Sequence, residues 1–359
     1  MAKAKSTKPQ KGVKEIARRA NVALATVDRV IHGRPGVSQK TLEKVKKVIE
    51  EMNYQPNIIG RRLASMKEYH FAVLIPEITE ESGFFWQAPA DGVQQAAEEI
   101  RSMGVSVTTF FFDQNDKRSF AGSARRILRG GFDGILLAPF FMEESLAFTK
   151  ACETKNIPYV FINSDIPDQK SLTYIGPDLY ASGYLGGQLI SYLIKPKDQV
   201  LIVNISREIK NVKQNRLLRK EEGVRSYFTG NKIKNEILKI DITNVDEKAV
   251  EKKILEMLAQ YPRTGVIFVT NSRVVSVAKC LKKHFIDHVR VIGYDLLESG
   301  MEYLKNGVID FLICQKPQEQ GYRGIMALYH HLILNLKVAD RYYMPIDIVT
   351  RENCAYYKN

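Results

Sequence analysis

Between residues 69 and 351 the chain repeats one local pattern: a short apolar run followed by a longer stretch with helical spacing. The runs are HFAVLIPE, VSVTTFFF, FDGILLAP, IPYVFINS, QVLIVNIS, TGVIFVTN, VRVIGYD and VIDFLICQ. Their apolar residues are nearly consecutive instead of alternating with polar ones. Such a strand has to be covered on both faces, which is the situation of a parallel sheet packed between helices. Helical stretches at 87–103, 117–130 and 143–155 separate the runs. Parallel neighbours need crossover connections of that length, so the pattern predicts an α/β body with doubly wound parallel sheets. It is long enough for two such units, each with binding loops at the carboxyl ends of its strands.

The first 68 residues do not follow this pattern, and their charge sets them apart. They hold 16 of the 53 Lys and Arg but only 6 of the 40 Asp and Glu, which leaves the remaining 291 residues close to neutral. Such asymmetry suits a small module that meets a polyanion, and a solvated basic tail is the plainer alternative. The start, MAKAKSTKPQKG, is basic with no apolar segment after it, unlike a signal peptide. No apolar run approaches the roughly 18 residues of a membrane span. Cys152, Cys280, Cys314 and Cys354 are scattered without a C-x-x-C spacing. These features predict a soluble cytoplasmic chain with buried thiols, no metal site and no cofactor.

Within the basic segment, VKEIARRA places Val13, Ile16, Ala17 and Ala20 on one helical face. Asn21 suits a tight turn, since Asn tolerates the left-handed conformation. Leu24, Val27, Val30 and Ile31 repeat the helical spacing, and HGRPGVS ends it. Ser38 caps a third helix with Leu42, Val45, Val48, Ile49 and Met52 inside, stopped by Pro56. Two short helices about a tight turn, then a third, describe an all-α helix-turn-helix headpiece. Its second helix would lie in the major groove, bringing Leu24, Ala25, Thr26 and Arg29 to the DNA. Leu24 and Ala25 suit thymine methyls, and Arg29 suits guanine or phosphate.

The order and spacing of EIARRANVALATVDRVI, RPGVSQKTLEKV and NYQPNIIGRRLA resemble the LacI/GalR family of bacterial transcription regulators. The resemblance implies that Leu24 and Ala25 are variable base readers, that Thr26 and Arg29 contact the operator, and that Tyr54 and Asn57 touch the DNA backbone. It also implies a hinge helix at 57–64, with Leu63 as an apolar wedge between minor-groove base pairs. Arg61 and Arg62 would neutralise phosphates beside it. Three departures from the family stand out. Ala23 lacks the usual capping hydroxyl, worth about 1 kcal/mol. Asp28 stands where a phosphate-binding Ser is common, and is expected to pair with Arg29 or a nearby Lys. Gly60 weakens the hinge helix by about 1 kcal/mol.

The body resembles that family's sensor domain, which shares the type I periplasmic-binding-protein fold. The resemblance implies two lobes crossed three times by the chain, with a small ligand between them. The resulting division is a basic tail at 1–12, a headpiece at 13–56, a hinge and linker at 57–68, a sensor at 69–351 and a tail at 352–359. The sensor's N-lobe is expected at about 69–195 and 316–338, and its C-lobe at about 196–315 and 339–351. Candidate ligand residues lie where loops leave strands: Phe85 and Trp86 in GFFWQ, Asn163 and Asp165 in VFINSD, Asn271 in VTNSR, Asp295 in IGYD and Gln315 in ICQKP. Asp178 matches a family ligand contact, Lys220 stands where sugar-binding members usually carry Arg, and Ser272 where they often carry Asp. Carboxylates, amides, a cation and aromatic faces are the means by which proteins hold hydroxyl-rich ligands. The expected partners are a pseudo-palindromic double-stranded DNA operator, a sugar or sugar derivative, and a second copy in a homodimer. For a neutral sugar, Asp178 and Asp295 would accept hydroxyl hydrogens and Trp86 would stack on the ring. Any Asp at a strand end is as readily a helix cap.

An α/β body also invites an enzyme reading. GYLGGQ is not G-x-G-x-x-G, and no P-loop, G-x-S-x-G or H-E-x-x-H occurs. His284 and His288 have no evident third ligand, and the adjacent His330 and His331 cannot share a helix face. A nucleotide-dependent oxidoreductase with a basic extension is the rival function, and a non-enzymatic regulator is the expectation.

Overall fold

The computed structural model describes residues 12–31, 34–52, 54, 67–79, 85–207 and 216–358. The chain divides into two compact units, Met1–Ser65 and Met66–Asn359. In the first, α1 (Val13–Ala20), α2 (Leu24–Ile31) and α3 (Gln39–Glu51) enclose Ile16, Ala17, Ala20, Val27, Val30, Val45, Val48 and Met52. Asn21 ends α1 at φ 48°, the left-handed turn expected of it. Ala23 offers α2 only its backbone carbonyl, which accepts from the Thr26 and Val27 amides. Ser38 caps α3 by accepting from the Thr41 amide. Asp28, expected to pair with Arg29 or a nearby Lys, meets Arg34. Its Oδ2 lies 3.2 Å from Arg34 Nη1, because the Arg34 amide bonds the Arg29 carbonyl and turns the exit loop back on α2.

The second unit contains two sheets. The first comprises β1 (Tyr69–Pro76), β2 (Val105–Phe112), β3 (Gly134–Leu137), β4 (Tyr159–Ile162), β5 (Thr173–Gly176) and a distant strand, β11 (Arg341–Tyr343). Its spatial order is β11-β5-β4-β3-β1-β2, with every pair parallel. Helices α4 (Gln87–Ile100), α5 (Lys117–Arg129) and α6 (Met142–Thr154) form its crossovers. The second comprises β6 (Gln199–Ile205), β7 (Ile237–Ile242), β8 (Thr264–Val269), β9 (Arg290–Tyr294), β10 (Phe311–Cys314) and β12 (Asp347–Val349), in the order β12-β10-β9-β8-β6-β7. Only β12 there is antiparallel to its neighbour. The second sheet's intervening helices are α7 (Leu179–Leu193), α8 (Arg216–Gly230), α9 (Glu247–Gln260), α10 (Val274–Lys283) and α11 (Glu298–Lys305), while α12 (Pro317–Leu332) returns to the first sheet, where Ile325 and Leu328 share a core with Phe71 and Leu136. In both sheets the strand order reverses beside the first strand, which opens a crevice at the carboxyl ends.

The lobe boundaries differ from the sequence expectation in three places. First, α7 packs on the second sheet: Leu189 and Ile190 share a core with Val200, Val224 and Phe268. The chain therefore crosses before residue 179, not near 195. The glycines of GYLGGQ fix this arrangement. A Cβ on Gly183 would collide with the Lys220 carbonyl, and one on Gly223 with the Tyr180 carbonyl, so α7 and α8 touch backbone to backbone. Second, residues 341–343 join the first sheet, which moves the last crossing to the stretch between β11 and β12. Third, the residues after 351 are docked, not a free tail. Cys354 is buried in the second lobe's core, and Lys316 Nζ holds the Lys358 carbonyl at 2.7 Å and the Asp347 carboxylate at 3.2 Å.

Candidate functional site

In the headpiece, α2 turns Val27 and Val30 inward and leaves the opposite face to solvent. Leu24 is 48% exposed, an uneconomical position for a leucine in a three-helix core unless something covers it. Ala25 and Arg29 are also exposed, and Thr26 is half-buried. Among the described residues nothing pairs with the Arg29 guanidinium, so it is free to meet a phosphate or a guanine edge. Tyr54 packs partly against the headpiece core, its amide bonded to the Ile49 carbonyl. Asn57, Arg61 and Leu63, with the rest of the expected hinge, lie outside the described residues.

In the second unit the carboxyl ends of both sheets line one open hollow, about 710 Å³ with the solvent space at its mouth included. Phe85 and Trp86 enter after β1, Gln114 and Asn115 after β2, Phe140 after β3 and Asn163 after β4. The other wall brings Ser206 and Arg207 after β6, Asn271, Ser272 and Arg273 after β8, Asp295 after β9, Gln315 after β10, and Arg216 and Lys220 from α8. Seven of the sequence candidates thus converge here: Phe85, Trp86, Asn163, Lys220, Asn271, Asp295 and Gln315.

They do not all present free groups. Asn271 donates through Nδ2 to the Ile205 carbonyl at 2.8 Å and accepts from the Arg273 amide, so it shapes the loop. Trp86 is 3% exposed and meets Phe85 edge to face with ring centroids 5.1 Å apart. Its ring is more a core wall than an open stacking surface. Gln315 donates to Asp295 Oδ1 at 3.0 Å. Lys220 Nζ donates to the Thr270 carbonyl at 3.1 Å and sits 3.4 Å from the Tyr294 ring centroid.

Asp165 and Asp178 are not brought to this hollow. They line a neighbouring one with Arg219, Arg341 and Tyr180. Asp178 caps α7, its Oδ1 accepting from the Ala181 amide at 2.9 Å. Asp165 is held by Arg341 at 2.7 Å. Both carboxylates are committed to structure, and the expectation that Asp178 accepts ligand hydroxyls has no geometric support.

Burial dominates the electrostatics. It pushes the Lys220 ammonium down to about 7, against the attraction of Asp295 and with repulsion from Arg216 added. It pushes Arg216 down to about 10 and raises the Asp295 carboxyl. Among the described residues, the charged groups sharing the hollow with Lys220 are Asp295, Arg207, Arg216 and Arg273, and the Tyr294 ring faces its ammonium. An ammonium with a depressed folded value binds fewer protons folded than unfolded between about pH 7 and its ordinary 10.5. The ligand-free sensor is therefore expected to gain stability as pH rises from about 7 to about 9. Lys220→Met should flatten that rise in thermal melts, and equal slopes for both proteins would contradict the assignment.

Residues 71–335 match the model of the periplasmic binding protein domain, and residues 12–57 match that of the bacterial regulatory proteins of the lacI family. The chain belongs to the periplasmic binding protein family through its second unit, and it carries a lacI-family helix-turn-helix domain at its start. Catabolite control protein A of Priestia megaterium is 41% identical over 83 residues, which is 23% of this chain and 24% of that relative. The ribose operon repressor of Halalkalibacterium halodurans is 24% identical over 298 residues, 80% of this chain and 81% of the relative. A structure described as a LacI transcriptional regulator from Bacteroides fragilis superposes with a TM-score of 0.74 at 28% identity, over 81% of this chain and all of that one. A glucose-galactose binding protein from Geobacillus stearothermophilus shares the fold at a TM-score of 0.70 and 21% identity, over 80% of this chain and 99% of that one. These matches lend no support to the oxidoreductase reading.

Sequence reasoning overlooked Arg207, Arg216 and Arg273 in the hollow, and Gln320 behind it. Gln320 is 1% exposed. Its Oε1 accepts from the Asn163 amide at 2.9 Å and its Nε2 donates to the Gln315 carbonyl at 2.8 Å, which ties the end of β4 to the end of β10. A glutamine in the first turn of a helix opened by proline gave no outward signal. Three arginines flanking strand ends were a signal, had they been read against the single Asp295 instead of as solvated charge. Among the described residues, no helix is long and apolar enough to cross a membrane, and no group of acidic, Cys and His residues is arranged to hold a metal.

Proposed function

We propose that this chain represses transcription by binding a pseudo-palindromic operator as a homodimer, and that a sugar-type effector in the hollow sets its operator affinity. The carrying observation is the solvent-facing row Leu24, Ala25 and Arg29 on a packed helix-turn-helix, in a chain whose second unit gathers the ends of β1 to β4, β6 and β8 to β10 around one hollow. Leu24 and Ala25 read base edges in the major groove, Thr26 and Arg29 contact the operator beside them, and Tyr54 and Asn57 hold its backbone. Arg61 neutralises phosphate, and Leu63 wedges the minor groove. A two-fold operator matches a two-fold dimer, and operator binding places the protein on the nucleoid in the cytoplasm. The naming of relatives for ribose and for glucose and galactose supports a sugar-like effector. Asn163, Asp295, Gln315 and Lys220 supply the polar groups, between Phe85 and Trp86 on one wall and Asn271 on the other. Coupling between effector and operator sites is typically about 1–3 kcal/mol, or roughly 5- to 150-fold in affinity.

The test is a binding-site selection with wild type and variants. Arg29→Ala should weaken the selected operator about tenfold or more without changing its sequence. Substitutions at Leu24 or Ala25 should change the sequence selected. One motif for all variants at equal affinity would remove these residues from the reading face.

A further inference from the structure

We propose that the effector held by this hollow is a hydroxylated anion, a sugar carrying a carboxylate or a phosphate, and not a neutral sugar. The inference rests on the effector-binding reading above and narrows its chemistry. Among the described residues, four cations, Arg207, Arg216, Lys220 and Arg273, line the hollow against one carboxylate, Asp295. That carboxylate already accepts from Gln315. The other two candidate carboxylates, Asp165 and Asp178, are engaged outside the hollow.

Lys220 and Arg216 are left with donors to spare. The Lys220 ammonium has three N–H groups and gives one to the Thr270 carbonyl. The Arg216 guanidinium lies 4.8 Å from the Phe140 ring centroid, and no hydrogen bond fixes it among the described residues. A neutral sugar offers hydroxyls that donate as much as they accept, which leaves an excess of donors unmet. A carboxylate or phosphate offers only acceptors, in the planar or forked geometry a guanidinium matches. Burying unmatched cations is costly, and the depressed Lys220 and Arg216 values reflect that cost. An anion between them removes it, so binding energy is drawn from relief of repulsion as well as from new contacts. The hydroxyl part of the ligand falls to Asn163, Asn115 and Gln114 on the facing lobe, where the lining is amide and aromatic.

The experiment uses the full chain and four probes: inorganic phosphate, glucose, glucuronate and glucose 6-phosphate, each against chloride at equal ionic strength. Inorganic phosphate at tens of millimolar should raise the melting temperature of wild type. Arg216→Gln and Arg273→Gln should each lower that gain and weaken phosphate binding about tenfold or more. Arg216→Gln should also melt at or above wild type without any ligand. Glucose should give no gain. A larger gain with glucose 6-phosphate than with glucuronate assigns phosphate as the anionic group, and the reverse assigns carboxylate. A glucose gain matching that of the anions, or a phosphate gain unchanged in both arginine variants, overturns the proposal. Operator titration separates the two levels. Anion binding that depends on Arg216 but leaves operator affinity unmoved sinks the regulatory reading and leaves the anion site standing.

Discussion

Gly183→Val is expected to lower the melting temperature by at least about 6 °C and to abolish binding in the hollow. The added branched side chain would occupy the place of the Lys220 carbonyl, which is backbone and cannot rotate away. Overpacking that side chains can absorb costs about 1–3 kcal/mol. Here two helices must separate, which carries the cost beyond that range, and each kcal/mol is worth roughly 2–4 °C in a unit of this size. Because Lys220 and Arg216 ride on the displaced helix, the hollow loses its cations together with the stability. Gly122→Ala is the matched control: it lies in α5 with nothing within 4 Å of the added carbon, and should be neutral or stabilising. A Gly183→Val protein that melts with wild type and binds the same probes would show that α7 and α8 do not depend on this contact.

A chain beginning at Met66 should lose specific operator binding by about a thousandfold or more, the usual margin between specific and non-specific binding. It should keep its response to ligand. The two units have separate cores: the headpiece closes over Ile16, Val27 and Val45, and the sensor over the clusters that flank its two sheets. Gel-shift and thermal melts on the truncated chain check both halves. Retained operator specificity would place the reading surface elsewhere, and a collapsed sensor would show that the second unit needs the first.

Local rules account for what the sequence made visible. The headpiece could be read almost residue by residue, because Asn21, Ser38 and the spacing of Ile16, Val27 and Val45 each act within a few residues. Strand ends could be read as well, so the loops after them yielded six lining residues, with Lys220 added from α8. Three of the four edge strands could not: β7 is half-exposed and β11 and β12 have three residues each, too short for their periodicity to rise above a loop. The lobe assignment of α7 depended on Gly183 and Gly223 finding each other's helices, a contact between residues 40 apart that no window of sequence contains. Asp178 shows an ambiguity of another kind. A carboxylate between strand and helix serves the backbone or a ligand equally well, and only the position of the Ala181 amide decides.

The backbone contact between α7 and α8 has a counterpart in the other lobe, where a Cβ on Gly92 of α4 would meet the Gln318 carbonyl of α12 and one on Gly321 would meet Pro89. Each lobe thus has a helix pair whose backbones touch where the two helices approach most closely. Stiff bodies of that kind do not absorb a displacement by yielding internally. Whatever motion a ligand imposes must be taken up by backbone torsions in the three short crossings, around Pro177, Lys316 and Pro345. A switch built this way transmits nearly the full stroke of its closure. It also leaves few places where a substitution can soften the signal without breaking the fold.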